Sequence, residues 1–173
     1  MTLKIINNYL LEFDFNIVKN HVDSIDKWTF ARNINCNAKS EHDFQFGHEY
    51  IQNGESLYEG ANGIPLKIIN PYVQSFRPDL TILRARTNFF IRTRRFPFFR
   101  GMGYHKDHYM NDKTIFTLLL YLEDSNGGTQ LKDSGKIIRS KRNRAIIFPA
   151  HWEHQTVAQT DTLFRTNINI NFR

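Results

Sequence analysis

His105 and Asp107 stand two residues apart, and His154 and Arg165 follow them further along the chain. Side chains at i and i+2 of an extended segment share a face, so these two project an imidazole and a carboxylate together. Such a pair holds a divalent metal once a third donor arrives from another strand. His154 supplies that donor in our reading; His151, three residues earlier, is the competing choice. Two imidazoles and one carboxylate leave further coordination positions open for chemistry. His108 has the parity of Lys106 and points away from the pair. His21, His42 and His48 lie in unpatterned surroundings that suit structural or surface roles.

Arg165 lies in the most regular stretch of the chain. Phe164, Thr166, Ile168, Ile170 and Phe172 alternate there with Arg165, Asn167, Asn169 and Asn171. Period-2 alternation predicts a strand with one apolar and one polar face. A sheet closed around a polar, ligand-holding interior needs that arrangement. A guanidinium turned inward requires an anion, because an unpaired buried charge is very costly. That anion is either a ligand or a carboxylate of the chain itself.

The remaining elements must position these groups. Residues 3–6 read as a short opening strand. Ile17, Val18, His21, Val22 and Ile25 predict a helix over 14–25, capped by Asp14 or Asn16. Strands are expected over 28–34 and around Phe44, Phe46, His48 and Tyr50. A polar loop over 33–43 and a Gly- and Asn-rich mobile connection over 53–63 flank the second of them. Asn70 and Pro71 suit the cap and first position of a short helix that Arg77-Pro78 ends. Over 82–92, Leu83, Ala85, Thr87, Phe89 and Ile91 share one face, and Arg84, Arg86, Asn88, Phe90 and Arg92 the other. The first face is expected to pack on a helix and the second to look inward. Residues 94–103 form a basic, aromatic loop near the mouth. Residues 114–122 make a central strand, Asn126-Gly127-Gly128 a hairpin turn, and 144–148 a strand closed by Pro149. Strands following a helical N-terminal part give an α+β class, mainly β.

The 173 residues suit one domain (1–173), with 1–80 supporting a core over 81–173. No apolar run reaches the ~18 residues of a membrane span. The N-terminus lacks the apolar region of a signal peptide. Cys36 is the single cysteine, so an internal disulfide is excluded and a cytoplasmic setting is expected. The net charge of +6 fits either ordinary solubility or an acidic partner such as nucleic acid. Arg84, Arg86, Arg92, Arg94, Arg95 and Arg100, interleaved late with Phe96, Phe98 and Phe99, could track a single strand, meet an acidic protein surface, or pair with the chain's own carboxylates.

His-x-Asp, a distant His, and an Arg eleven residues after it resemble the 2-oxoglutarate/Fe(II)-dependent dioxygenases. Arg84 and Asn88, an Arg-x-x-x-Asn strand ahead of His-x-Asp, look more closely like the prolyl-hydroxylase-like oxygenases of tailed bacteriophages, over most of the chain. The resemblance implies a double-stranded β-helix (jelly roll, cupin-like) with supporting N-terminal helices. It implies Fe(II) on His105, Asp107 and His154, with 2-oxoglutarate and O2 in the open positions. Arg165 would hold the distal carboxylate of 2-oxoglutarate, since a planar guanidinium can pair with both oxygens. His151 lies farther from Arg165 than the family spacing. Tyr121, in Leu-Tyr-Leu, resembles the tyrosine that helps hold the same carboxylate. Asn167 and Asn88 are further donors, and Thr117, of Tyr121's parity, lines the pocket. Tyr121, Asn167 and Asn88 each also have a purely structural reading. Gly127-Gly128-Thr129 resembles the family's Gly-Gly-x-Thr with one residue fewer.

The implied reaction couples decarboxylation of 2-oxoglutarate to succinate with hydroxylation of a substrate C–H bond. A peptidyl, prolyl-like residue is the favoured substrate. Typical prolyl 4-hydroxylases carry Lys where Arg165 stands, whereas oxygen-sensing prolyl hydroxylases carry Arg. A nucleic-acid base is the alternative, favoured by charge. AlkB-type demethylases share Arg-x-Asn (Arg165, Asn167) but carry a second Arg where this chain has Asn171. A small metabolite and a non-catalytic jelly-roll binding module complete the options.

Overall fold

The alternation in the C-terminal strand gives it an apolar face, turned to the helices, and a polar face carrying Arg165, Asn167, Asn169 and Asn171. In the computed structural model, which describes residues 2–32, 43–57, 63–92, 101–107 and 112–173, thirteen elements follow in order. They are β1 (Lys4–Asn7), α1 (Glu12–Asp23), β2 (Thr29–Ala31), β3 (Gln45–Gln52), β4 (Glu55–Ser56), α2 (Ile64–Gln74), β5 (Ile82–Ile91), β6 (Phe116–Tyr121), β7 (Gly128–Leu131), β8 (Ile137–Arg139), β9 (Arg144–Pro149), β10 (His154–Val157) and β11 (Phe164–Phe172). An eight-stranded sheet runs β1-β9-β6-β11-β5-β3-β2, with β4 paired to β3. A smaller sheet runs β10-β7-β8. All pairings are antiparallel.

β11 lies between β5 and β6, with Asn167 opposite both Asn88 and Tyr121. Its Ile168, Ile170 and Phe172 join Ala85 of β5 and Leu118 and Leu120 of β6 in one buried cluster. Phe15, Val18 and Val22 of α1 and Ile69 and Val73 of α2 complete it. Each fully buried Val, Leu, Ile or Phe contributes roughly 1.5–3 kcal/mol. The helices therefore cover the outer face of the large sheet. On the inner face Leu119, Tyr121, Ile146 and Phe148 pack with Leu131 and Ile138 of the small sheet. Both faces of β5 read in the sequence are realised, with Ala85 outside and Phe90 inside against Met102.

Three expectations are corrected. α1 starts at Glu12, not Asp14, and its cap position, Leu11, makes no side-chain cap bond. Asp14 instead accepts a hydrogen bond from the Tyr72 hydroxyl of α2 (2.5 Å), which ties the helices together. α2 does not begin at Asn70-Pro71. It begins at Ile64, with proline already at the start and Pro71 inside the helix. Pro65, Ile69 and Val73, four apart, are its buried stripe, and this burial outweighs the local cap signal at Asn70. The third is Asn126-Gly127-Gly128, which is not a hairpin turn. β6 belongs to the large sheet and β7 to the small one, so this segment crosses between sheets. A Cβ on Gly128 would lie 2.1 Å from the Ile138 carbonyl oxygen, so its glycine answers a close backbone approach. The small sheet's own turn contains Gly135, at φ +62°.

The opening strand and those of 82–92, 114–122 and 144–148 stand within two residues of expectation. β2 covers only Thr29–Ala31, and β4 adds a short strand within the expected 53–63 connection. Residues 33–42, 58–62, 93–100 and 108–111 lie outside the described residues, and with them Cys36, His42, His108, Arg94, Arg95, Arg100, Phe96, Phe98 and Phe99. Among the described residues no helix is long and apolar enough to cross a membrane.

Candidate metal centre and anion pocket

The segment carrying His105 and Asp107 is not a full strand. It is pinned by an isolated bridge in which His105 and His154 exchange backbone bonds, each 2.9 Å. The Asp107 N–H adds a bond to the Ala150 carbonyl (3.2 Å). This pairing lays the His-x-Asp segment against the start of β10. The imidazole centroids of His105 and His154 lie 4.4 Å apart. One ligand atom each from His105, Asp107 and His154 fall within 4.8 Å of one another. His151 is not in this cluster; its Nδ1 is buried without a hydrogen-bond partner.

The groups behind the three residues orient them. His154 Nδ1 lies 2.9 Å from the Trp152 carbonyl. A ring that donates there leaves Nε2 with a free lone pair toward Asp107, whose Oδ1 is 3.9 Å away. His105 Nδ1 makes a longer contact, 3.5 Å, to the Gly103 carbonyl. Phe148 packs edge-on to the His154 ring at 4.9 Å. Asp107 Oδ2 accepts from the Thr117 hydroxyl and from Asn171 Nδ2 (2.8 Å). Asn171 also donates to Thr117 Oγ1 (3.0 Å). One carboxylate oxygen is thus held by the protein and the other is turned to the histidines.

Electrostatics favour the metal-ready forms. Burial, helped by the neighbouring His154, drops the His105 pKa to about 4, so the ring is neutral near pH 7. For Asp107, burial pushes upward, but His154 and the bonds from Thr117 and Asn171 outweigh it and hold the carboxyl below its usual range. The two imidazoles and one carboxylate, with bonds oriented behind them, fit a single divalent metal.

Arg165 is completely buried on the inner face of β11. Its Nε donates to Gln159 Oε1 (3.4 Å) and its Nη2 to the Val157 carbonyl (3.3 Å). The guanidinium lies over the Phe90 ring at 4.5 Å. Among the described residues no carboxylate forms an ion pair with it, so its own-chain salt bridge, the other sequence-level reading, is not present there. Burial lowers its pKa to about 10. Two long bonds to neutral oxygens do not satisfy a buried cation, and an anionic carboxylate is the chemistry that would.

Tyr121, also fully buried, donates to Thr129 Oγ1 (2.8 Å), and burial raises its pKa to about 12 despite that bond and nearby Arg165. Asn88 Nδ2 donates to Asn167 Oδ1 (2.9 Å) across β5 and β11, and the Asn88 side-chain Oδ1 is buried without a partner among the described residues. Both amides lie on the inner wall beside Tyr121. Thr117 lies at the other end, with its hydroxyl on Asp107. His21 and His48 stand elsewhere, His48 Nδ1 contacting the Lys27 carbonyl (3.1 Å). Three residues that contact the site groups carry no role in the sequence reading: Asn171, Thr129 and Gln159. Strict alternation puts Asn171 on Arg165's face, so its signal was available. Thr129 is marked only as part of the Gly127-Gly128-Thr129 resemblance, and Gln159, in the segment between β10 and β11, carries none.

No family profile matches the sequence, and no curated protein matches it either. Solved structures do match by shape. An oxidoreductase of the 2OG-Fe(II) oxygenase family from Burkholderia pseudomallei aligns over 98% of this chain and 84% of its own, with a TM-score of 0.72 and 11% identity. A prolyl hydroxylase from Trichoplax adhaerens, in complex with a peptide fragment of the hypoxia inducible factor oxygen degradation domain, aligns over 98% and 82%, with a TM-score of 0.70 and 16% identity. The viral collagen prolyl hydroxylase of Paramecium Bursaria Chlorella virus-1, in complex with 2OG, aligns over 100% and 96%, with a TM-score of 0.65 and 11% identity. The fold is the mainly β jelly roll of the 2-oxoglutarate/Fe(II) oxygenases, as the motif resemblance implies.

Proposed function

We propose that this chain is an Fe(II)- and 2-oxoglutarate-dependent oxygenase that hydroxylates a peptidyl, prolyl-like residue. One observation carries the reading: this fold holds both a His-Asp-His donor cluster and a buried arginine that has no carboxylate partner among the described residues. His105, Asp107 and His154 would hold the iron, and Arg165 the distal carboxylate of 2-oxoglutarate, with Tyr121 beside it. When bound, iron and 2-oxoglutarate supply oxidation of a C–H bond by O2, at the expense of decarboxylating 2-oxoglutarate to succinate.

The protein's own work is holding and excluding. Thr117 and Asn171 keep Asp107 ionised and aimed. The Trp152 carbonyl sets the His154 tautomer. Leu119, Phe148 and Leu131 pack in one buried apolar cluster between the two sheets, a wall that would keep bulk water from the interior. Support for a peptide comes from the Trichoplax neighbour, which is seen with one, and from Arg165 standing where oxygen-sensing prolyl hydroxylases carry Arg. AlkB-type chemistry is disfavoured, because Asn171 replaces its second arginine and is already engaged with Asp107. The test is succinate release by the Fe(II)-loaded protein over peptide, nucleic-acid and metabolite pools. Stimulation by a peptide pool alone is expected; stimulation by nucleic acid or metabolites alone overturns the substrate reading.

A further inference from the structure

The large sheet extends beyond the strands that the small sheet packs on, and its inner face on β3 and β5 carries charge. Glu49 of β3 lies opposite Arg86 of β5. Arg84 takes Glu49 with two contacts, Nη2 to Oε1 at 3.0 Å and Nε to Oε2 at 3.5 Å. Among the described residues Arg86 is left with one contact of 3.5 Å, from Nη1 to the Oε1 already engaged by Arg84. Its Nε is buried and has no hydrogen-bond partner among them. The Arg86 side chain is only 17% exposed, so solvent compensates little. Two guanidinium groups share one carboxylate, leaving one positive charge over.

The site's surroundings limit what the counter-charge can be. Arg86 faces Asn169 of β11, whose Oδ1 is also buried without a partner. The field of Asp107 reaches Arg86, and that of Arg86 reaches His105, which puts the surplus charge beside the metal centre. Gly47, opposite Asn88 on β3, leaves the inner face bare of a side chain there; a Cβ at Gly47 would meet nothing nearer than the Thr87 carbonyl at 3.9 Å. Arg165 lies one strand across, opposite Phe90, four residues along β5 from Arg86, so the two arginines stand at different levels of the inner face.

We propose that the inner face of β3 and β5 receives the second substrate, and that Arg86 pairs there with the carboxylate of an acidic residue flanking the residue to be oxidised. This rests on the peptide-oxygenase reading above and adds a sequence requirement to it. A nucleic acid presents a row of phosphates and needs several free cations. Among the described residues of this face, Arg84 is taken by Glu49 and Arg92 donates to the Thr160 carbonyl. One surplus charge matches one carboxylate.

The test uses the full chain with Fe(II) and 2-oxoglutarate and two pools of capped pentapeptides with a central proline. One pool carries a single Asp or Glu beside it, the other Asn or Gln. Product is read as the mass gain of one oxygen atom. The acidic pool should react with a kcat/KM about ten- to hundredfold higher, the range of a charge-assisted contact. Arg86→Glu should transfer the preference to a pool carrying Lys. Equal reaction of both pools overturns the inference.

A binding arm depends neither on turnover nor on the Arg86→Glu variant. In the Zn(II)- and 2-oxoglutarate-loaded protein, the Arg86 Nε–H resonance, assigned by its loss in Arg86→Lys, should shift with the acidic pool and not with the amide pool. No shift, or a shift with oligothymidylate alone, also overturns it. Succinate release in parallel reactions without peptide scores the oxygenase reading separately. Succinate without acidic preference sinks only the Arg86 inference, whereas no succinate and no 2-oxoglutarate binding sinks the oxygenase reading.

Discussion

Replacing Arg165 with Met should separate binding from stability. The side chain is fully buried, and removing its charge deletes bonds of 3.4 and 3.3 Å and a contact over Phe90 at 4.5 Å. Two long bonds to neutral acceptors are worth roughly 0.5–1 kcal/mol each. The desolvated cation–π contact adds about 1–2 kcal/mol. Against that loss of ~2–4 kcal/mol stands the desolvation that lowers the guanidinium's pKa from 12.5 to about 10. At 1.36 kcal/mol per pKa unit, that penalty is ~3 kcal/mol. Urea unfolding of the metal-free, ligand-free Arg165→Met protein should therefore lie within about 1 kcal/mol of wild type. Its 2-oxoglutarate affinity, measured calorimetrically on Mn(II)-loaded protein, should fall by about ten- to hundredfold, the equivalent of ~1.5–3 kcal/mol. 2-Oxoglutarate at a concentration just sufficient to saturate wild type should raise the unfolding midpoint of wild type more than that of the variant. A purely structural arginine would give the reverse: unchanged 2-oxoglutarate affinity with lost stability. That result would refute the assignment.

The other predictions concern the metal and the backbone. Asn171→Ala and Thr117→Val each remove a bond that orients Asp107, and should weaken divalent-metal affinity about ten- to hundredfold without abolishing it, read by competition with a fluorescent chelator. His154→Ala should lose the metal while His151→Ala retains it; the opposite pattern would mean that the third ligand is misassigned. Gly128→Ala forces a Cβ to 2.1 Å from the Ile138 carbonyl and should destabilise by roughly 1–3 kcal/mol, or about 2–12 °C in Tm at this length; an unchanged Tm would show that β7 and β8 separate easily there.

Legibility followed the range of the interaction. β11 could be read directly, because period-2 alternation on a two-faced strand allows one assignment of inside and outside. The same parity carried Arg165, Asn167 and Asn171 to one face together. The metal cluster was legible through residue type and order, although the orienting bridge between His105 and His154 joins segments far apart in sequence. Local signals misled where distant partners decide. Asn70-Pro71 has the chemistry of a helix start, but Pro65, Ile69 and Val73 find a core only if the helix begins at Ile64. Gly127-Gly128 has the chemistry of a turn, but β6 and β7 belong to different sheets. Glu49 between Arg84 and Arg86 depends on the β3–β5 register, which neither strand's sequence states.

The most direct test of the central claim is the stoichiometry of iron and succinate on one preparation. Anaerobically loaded protein should bind one Fe(II) per chain, and on exposure to O2 should convert 2-oxoglutarate to succinate. Asp107→Ala should lose both iron and succinate, and Arg165→Met should keep iron but need far more 2-oxoglutarate. A wild-type chain that binds no iron, or binds iron and forms no succinate at saturating 2-oxoglutarate with the peptide pools present, would contradict the account.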